Sequence, residues 1–237
     1  MNFEDLTKLW GKYKKECQAD AHRHVSELLR EAKELHRADF LKNPTPQGDH
    51  EQSWRSFKGK NLEKLIAYII RDEVETLGLK LVDGNTLDRT KTENLPRELG
   101  TVKRNLLVDY GEFGAHMPDL DIIIYEPKTC RVIAGISSKV SLRERIAQTG
   151  YWKIKLSKDE VTKDVKVFFV TPDEDRTLTS RTRIKKGRAI VEVDTDGSYV
   201  MSETLVEEDD KVKMFDHFIE DLRALAYRYR EGERRHG

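Results

Sequence analysis

Two apolar runs of β type, separated by a short polar turn, constrain the fold of this chain most strongly. The runs are residues 122–125 (Ile-Ile-Ile-Tyr) and 132–136 (Val-Ile-Ala-Gly-Ile), and the turn is residues 126–129. β-Branched residues on both sides of a proline-containing turn predict a β-hairpin. Because a hairpin brings its outer ends together, we expect the residues just before the first run and just after the second to be neighbours.

Charged side chains stand at both of these outer ends. Asp119 and Asp121 precede the first strand, and we expect them on one face because side chains alternate along a strand. Lys139 follows the second strand and is expected to approach them. Alone, each residue would more often be a solvated surface group, but two carboxylates beside an ammonium group suit a divalent metal and an activated water. The joint placement therefore predicts a catalytic site.

The same stretch resembles the core of the PD-(D/E)xK nucleases. Pro118-Asp119, the hairpin and Ser137-Ser138-Lys139 follow the order of that motif, with Ser137 where most members have an acid. One branch also has serine there, the type II restriction endonucleases that read CCGG-containing sites, of the BsaWI type. In that branch an arginine-rich segment follows the lysine, as Arg143-Glu144-Arg145 does here. The middle of the chain is thus similar to a CCGG-reading restriction endonuclease.

The resemblance implies a fold and a reaction. The fold is α/β (α+β), a mixed central sheet flanked by helices, with an N-terminal helical subdomain added. The reaction is Mg²⁺-dependent, sequence-specific hydrolysis of double-stranded DNA that leaves 5′-phosphates. Two alternatives remain open: a DNA repair or junction-resolving nuclease with the same core, and a DNA-binding module without catalysis, since Ser137 replaces an acid.

Roles for individual residues also follow from the resemblance. Asp119 is the first expected metal ligand and Asp121 the second, and Lys139 orients the attacking water or stabilises the phosphate. Ser137 cannot be an anionic ligand. The glutamate that this branch usually carries further along the chain is absent, because that region holds Trp152 and Lys153. We therefore expect the third acid from Glu63 on the preceding helix, with Glu144 in reserve, and a phosphate contact from Lys153. The alternative for Glu63 is a solvated side chain beside the apolar stripe of that helix.

Base reading is expected from the arginine-rich segment. Arginine pairs in two ways with guanine, and a carboxylate accepts from cytosine N4. The resemblance implies that Arg143 and Arg145 read guanines and Glu144 a cytosine. The alternative is that Ser141 caps a helix with Glu144 in its capping box, and the arginines anchor phosphates. Reading a palindrome implies a homodimer or higher homo-oligomer.

A second basic segment has two interpretations. Residues 181–188 form the densest basic run of the chain. They are either a solvated loop or a set of contacts to the DNA backbone. For the second interpretation, the candidates are Arg181, Arg183, Lys185 and Lys186.

The composition gives the whole chain no excess of positive charge that would indicate binding to nucleic acid. Lys plus Arg and Asp plus Glu are 43 each, so a DNA-binding surface must be local. The two cysteines, Cys17 and Cys130, have no metal spacing and favour a reduced, cytoplasmic protein. No apolar run approaches membrane-spanning length, so a membrane partner is not expected.

Periodicity divides the chain into two parts. Residues 1–50 are predicted to form a helical subdomain with a break near 18–24 and a Pro/Gly-rich linker at its end, and residues 51–237 the nuclease domain. The subdomain is either a packing and dimerisation element or a clamp on DNA. Within the nuclease domain we expect the elements that follow: a helix over 54–77 ended by Gly78, a helix from 141, a strand over 165–170, a hairpin of strands 189–193 and 199–201, and a last helix from 207.

Overall fold

A six-stranded mixed sheet carries the predicted hairpin at its centre. The computed structural model describes residues 1–42, 49–140 and 145–236, and the side chains of all of these except 145 and 233–236. The strands of the sheet are β1 (Lys80–Asp83), β4 (Ile122–Tyr125), β5 (Val132–Ser138), β6 (Lys166–Thr171), β7 (Gly197–Val200) and β8 (Val212–Met214), in this spatial order. A separate small hairpin pairs β2 (Val108–Asp109) with β3 (Ala115–His116).

Strand direction decides which chain ends meet. β4 is antiparallel to both β1 and β5, with Ile122 opposite Asp83 on one side and Ile136 on the other. β5, β6, β7 and β8 are mutually parallel. The start of β4 therefore lies at the same edge of the sheet as the ends of β1 and of the four parallel strands. We call this the catalytic edge, for the acids and the lysine predicted there.

Helices cover both faces of the sheet. They are α1 (Phe3–Cys17), α2 (Val25–Lys42), α3 (His50–Thr76), α4 (Gly84–Arg89), α5 (Arg97–Arg104), α6 (Arg145–Leu156), α7 (Lys186–Asp194) and α8 (Phe218–His236). On one face α1, α2, α3 and α8 share a core with Ile122, Ile124 and Ile136 of the hairpin. On the other, α4, α5 and α6 pack on Ile123 and Tyr125, and α7 continues that layer over Phe169.

The N-terminal helices follow the expected pattern. A 3₁₀ segment, Gln18–His24, separates α1 from α2, which confirms the predicted break. Leu9 of α1 and Leu28 of α2 are buried in the same core as Ile66 of α3. The linker residues 43–48 lie outside the described residues, and the division at residue 50 stays a prediction. None of the described helices is both long and apolar enough to cross a bilayer.

The predicted hairpin of strands 189–193 and 199–201 is wrong. Ile190, Val191 and Val193 favour a strand by local propensity, but they lie in α7. β7, which follows, is parallel to β6. Parallel neighbours need a crossover rather than a tight turn, so the topology of the sheet overrides the propensity of these residues.

The predicted start of the last helix at 207 is also wrong. The acids there accept hydrogen bonds from loop and strand backbone: Glu207 from Arg181 N at 2.5 Å and Glu208 from Met214 N at 2.6 Å. The chain first adds the edge strand β8, and α8 begins only at Phe218. Glu207 and Glu208 therefore accept hydrogen bonds from backbone N–H groups outside α8, and they do not cap that helix.

Gly84 allows β1 to approach the segment that leads into β4. Its N–H donates to Asp121 O at 2.8 Å. A Cβ at this position would lie 1.8 Å from Leu120 O, closer than any real contact. The backbone on both sides would have to move to accept a side chain.

We expect Gly84→Ala to lower the free energy of unfolding by about 1–3 kcal/mol, because overpacking against backbone forces a shift. Urea denaturation measures this change. Gly11→Ala is the matched control, since a Cβ there meets nothing within 4 Å. In the interior of α1 that substitution should be neutral or stabilise by up to about 1 kcal/mol. Equal stability of Gly84→Ala and the wild type would contradict the close approach.

Candidate active site

The catalytic edge brings together charged side chains from separate parts of the chain. Asp83 ends β1, Asp121 immediately precedes β4, and Lys139 immediately follows β5. Glu63 reaches the same place from α3 and lines a cleft with Asp83. The hairpin therefore does what the sequence predicts and joins an acidic entry to a basic exit.

Asp121 and Lys139 are in direct contact across the open ends of the hairpin. Lys139 Nζ lies 2.8 Å from Asp121 Oδ1, and the side chains are 22% and 4% exposed. Ser138 N donates to Asp121 Oδ2 at 2.6 Å, while Asp121 N donates to Ile136 O at 2.8 Å. A buried carboxylate is tolerated when it is paired and hydrogen-bonded, and this one is held in a single orientation.

Asp119 occupies a different environment. β4 begins only at Ile122, and Leu120 N donates to Pro118 O at 2.9 Å. That turn interrupts the strict alternation on which the shared face of Asp119 and Asp121 was predicted. Within the described part of the chain, the carboxylate in contact with Lys139 is that of Asp121. Asp119 is half-exposed and has interactions of its own.

Glu63 lies in a surplus of negative charge. Burial, a hydrogen bond to Asp83 and the charge of Asp121 together raise its pKa from the usual 4.5 to about 7, and Lys139 opposes them. Burial alone would raise the pKa of Asp83, but the hydrogen bonds from Thr86 and Glu63 outweigh it and lower that pKa. Sequence reasoning missed Asp83. The signal was an acid ending the short apolar run Leu81-Val82.

The donors at this edge suit a hard divalent cation. Carboxylate oxygens are the ligands that Mg²⁺ prefers, and a cation would offset the charge that raises the pKa of Glu63. No three Asp, Glu, His or Cys side chains among the described residues already surround one point. One reason is that Asp121 is turned toward Lys139. Ser137, 2% exposed in β5, is neutral and adds no charge.

The predicted base-reading segment is mostly outside the described residues. Ser141, Arg143 and Glu144 fall there, and of Arg145 only the backbone, at the start of α6, is described. Both interpretations of this segment therefore stay predictions. The start of α6 follows Lys139 by six residues.

The predicted backbone-contact residues differ in how available they are. Arg181, Arg183, Lys185 and Lys186 are exposed in the loop before α7, although Lys185 Nζ donates to Asp175 O at 3.0 Å. Lys153 has an internal partner instead: its Nζ lies 2.7 Å from Asp196 Oδ2 and donates to Val165 O at 2.8 Å.

A buried arginine anchors the basic loop. Arg188 is 0% exposed, and its guanidinium group donates to Leu178 O, Glu207 O, Glu192 and Asp209. These partners come from both sides of the loop. The exposed segment 181–186, which carries the basic side chains, is therefore held in place by the hydrogen bonds of Arg188.

A cleft of about 480 Å³ opens beside Glu63. Asp83, Ile122 and Phe3 of α1 also line it. Phe3 packs edge-to-face on Tyr68 of α3, with ring centroids 6.2 Å apart. The first helix of the chain thus helps to shape the approach to the catalytic edge.

A family model described as BsaWI restriction endonuclease type 2 matches residues 98–221. The chain belongs to this family. It is 34% identical over 212 residues to the predicted type II restriction enzyme MjaVIP of Methanocaldococcus jannaschii. The matched region covers 84% of this chain and 92% of that protein. It is 29% identical over 173 residues to the predicted type II restriction enzyme HpyAORF263P of Helicobacter pylori, covering 73% and 83%.

The solved structures include a likeness to the restriction endonuclease AgeI in complex with DNA, with a TM-score of 0.49 at 15% identity over 94% of this chain and 91% of that one. The family match confirms the resemblance to restriction endonucleases of the BsaWI type and the predicted enzyme class. The mixed sheet flanked by helices confirms the predicted fold class. This BsaWI-family protein is a type II restriction endonuclease, which cleaves DNA at specific sequences. The match to the family model begins in α5 and ends in α8, so it contains the hairpin and Lys139 but not Glu63.

The raised pKa of Glu63 predicts a pH-dependent stability. Between pH 4.5 and about 7 the folded protein keeps a proton that the unfolded chain has released, so wild-type stability falls as pH rises through this window. Glu63→Gln cannot titrate. Its melting temperature minus that of the wild type should therefore increase from pH 4.5 to 7 and level off above, measured in EDTA.

Glu75→Gln is the control for this experiment, because Glu75 is exposed on the same helix α3. Its difference from the wild type should not change across that window. A Glu63→Gln difference that is equally flat would show that Glu63 does not lie in the acidic surroundings described.

Proposed function

We propose that this restriction endonuclease uses Mg²⁺ to cut both strands of a short palindromic site with a G·C core, of the CCGG kind, leaving 5′-phosphates. The observation that carries the proposal is the Asp121–Lys139 contact at the open ends of the hairpin, with Glu63 beside it. A buried acid, a basic group and a second acid of raised pKa at one edge are the parts that metal-assisted hydrolysis requires.

Asp121 and Glu63 are the residues proposed to hold the metal. Asp119, which is half-exposed, is a further candidate ligand. When bound, Mg²⁺ supplies positive charge to the scissile phosphate and favours deprotonation of water. Glu63 contributes the acid that Ser137 cannot, since Ser137 stands in the usual acidic position but carries no charge. Asp83 supports Glu63 through their shared hydrogen bond.

Lys139 is proposed to act on the attacking side. Asp121 holds one side of its ammonium group, and the group is 22% exposed, so further N–H donors remain for a water or a phosphate oxygen. There it orients the attacking water and stabilises negative charge on the pentavalent phosphate. Attack at phosphorus with departure of the 3′ oxygen leaves the phosphate on the 5′ end.

Recognition and assembly complete the proposal. Arg143 and Arg145 read guanines and Glu144 a cytosine, as the spacing to Lys139 in the sequence suggests. Two copies related by a dyad place one catalytic edge on each strand of the palindrome, so the active species is at least a homodimer. The exposed residues Arg181, Arg183 and Lys186 contact phosphates outside the read bases.

Cleavage by point variants tests the catalytic assignment. Lys139→Ala and Asp121→Asn should each lower the rate of Mg²⁺-dependent plasmid cleavage by about 10²-fold or more, because each removes charge from the reacting centre. Asp119→Asn is the matched comparison and should lose less, since the Lys139 contact belongs to Asp121. Rates are measured at saturating enzyme, with folding checked by thermal melts.

The outcomes separate the two acids. A larger loss in Asp119→Asn than in Asp121→Asn would transfer the main ligand role to Asp119. Undiminished cleavage by Lys139→Ala at matched protein and Mg²⁺ would refute the site altogether. A smear rather than discrete bands from the wild type would argue against a defined recognition sequence.

Base reading is tested separately. Arg143→Ala should lose about 1–3 kcal/mol of discrimination between a CCGG-containing and a random duplex, because one guanine fork is removed. Arg183→Ala should weaken binding to both duplexes alike and flatten the salt dependence, as a phosphate contact does. If Arg143→Ala also weakens both duplexes equally, these arginines are phosphate anchors and Glu144 is free to act as a helix cap.

A further inference from the structure

A buried lysine connects α3 to the loops that follow two parallel strands. Lys58 Nζ lies 2.6 Å from Glu174 Oε1 and 3.0 Å from Glu203 Oε2, and its side chain is only 4% exposed. Glu174 follows β6 by three residues and Glu203 follows β7 by three residues. Both strands end at the catalytic edge, so one ammonium group of α3 is fixed to two loops beside the active site.

The surroundings of Lys58 leave it little freedom. Trp54, 1% exposed on the preceding turn of α3, directs its Nε1 at Glu203 Oε1 at 3.4 Å. The Lys58 ammonium group lies 5.8 Å from the centre of the Trp54 ring. A buried ammonium group keeps its charge only where carboxylates compensate the loss of water. The carboxylates of Glu174 and Glu203 therefore fix the position of α3 along the edge of the sheet.

The residue after Lys58 meets the chain that carries Lys139. A Cβ at Gly59 would lie 2.9 Å from Val140 Cγ2. Val140 directly follows Lys139. Glycine within a helix is disfavoured relative to alanine, and here its use allows α3 to pass against the end of the β5 segment. The contact sets the separation between α3 and Lys139.

The same stretch of helix then delivers Glu63. Glu63 is five residues after Lys58, which is about 7.5 Å along a helix axis. Over that distance an α-helix is rigid. Any shift of Lys58 relative to the loops after β6 and β7 must therefore move Glu63 relative to Asp83 and Asp121.

We propose that Lys58 is a positioning residue of the active site: its ion pairs with Glu174 and Glu203 hold α3 so that Gly59 stays against Val140 and Glu63 faces Asp121. This proposal rests on the proposed role of Glu63 at the metal site. Lys58 itself does not touch the reacting atoms. It sets the distance between the acid of α3 and the Asp121–Lys139 pair of the hairpin.

Lys58→Met is the direct test, because methionine keeps an unbranched side chain and removes the ammonium group. Two measurements are made on the folded protein. The first is the NOE between Gly59 Hα and the Val140 methyl groups, which reports position without activity. The second is the Mg²⁺ dependence of single-turnover cleavage at saturating enzyme. Lys33→Met is the control, since Lys33 lies 3.6 Å from the same Glu203 but belongs to α2, and its nearer partner is Glu51 in the first turn of α3.

In Lys58→Met the NOE should weaken, the rate should fall about 10- to 100-fold as expected for a displacement near 1 Å, and the Mg²⁺ midpoint should rise. DNA affinity should stay close to that of the wild type. Lys33→Met should leave the NOE and the midpoint unchanged. A folded Lys58→Met with wild-type NOE, rate and midpoint would overturn the proposal, even if its melting temperature is lower.

Lys58→Met removes the cation that Glu174 and Glu203 share, although Arg55 lies 3.2 Å from Glu174 and Lys33 3.6 Å from Glu203, and folding of the variant is checked by thermal melts. Glu174→Gln and Glu203→Gln are the second pair of variants, because each leaves Lys58 with one carboxylate. Both should shift the NOE and the midpoint in the same direction, by a smaller factor. If neither variant moves either measurement, Lys58 serves only folding and the inference is wrong.

Failure of the proposed function can be distinguished from failure of this inference about Lys58. A wild type without Mg²⁺-dependent cleavage would refute the proposed metal chemistry, while the Gly59–Val140 NOE would still test the position of α3. Cleavage by the wild type with no loss in Glu63→Gln would instead remove the acid through which Lys58 is proposed to act.

Discussion

A buried carboxylate closes the open ends of the central hairpin. Asp121 receives Ser138 N on one oxygen and Lys139 Nζ on the other, so the entry to β4 and the exit from β5 are joined by charge as well as by the strand ladder. Because a buried charge without partners would be strongly unfavourable, the contact orients both side chains before any substrate arrives. Helix α3 and strand β1 then bring Glu63 and Asp83 to the same edge of the sheet.

Local sequence patterns predict three elements of the fold correctly. The hairpin, α3 with Gly78 at positive φ after it, and β6 follow from periodicity and turn chemistry. The resemblance implies Glu63 as an acid of the site, and α3 brings it beside Asp83, while its catalytic role stays a prediction. The hairpin also brought Lys139 to an acid, although the contact falls to Asp121 because the chain turns at Asp119.

The parts that sequence reasoning missed depend on contacts between distant residues. α7 is helical against the propensity of its β-branched residues because a parallel sheet needs a crossover. Asp83 reaches the site only because β1 pairs with β4, a contact between segments about forty residues apart that no periodicity reveals. The ion pairs of Lys58 join residues more than a hundred positions apart, and an isolated lysine on a helix gives no sign of them.

The burial of Arg188 has a consequence for the basic loop that precedes it. Arg188 follows the exposed basic segment 181–186, and its guanidinium group donates to Leu178 O before that segment and to Glu207 O beyond it, so both ends of the segment are already ordered in the unbound protein. A loop that is ordered beforehand loses less conformational entropy when it meets a polyanion than a flexible loop of the same charge. Attraction between such a basic loop and a polyanion acts over a long range, and salt that screens it slows their encounter.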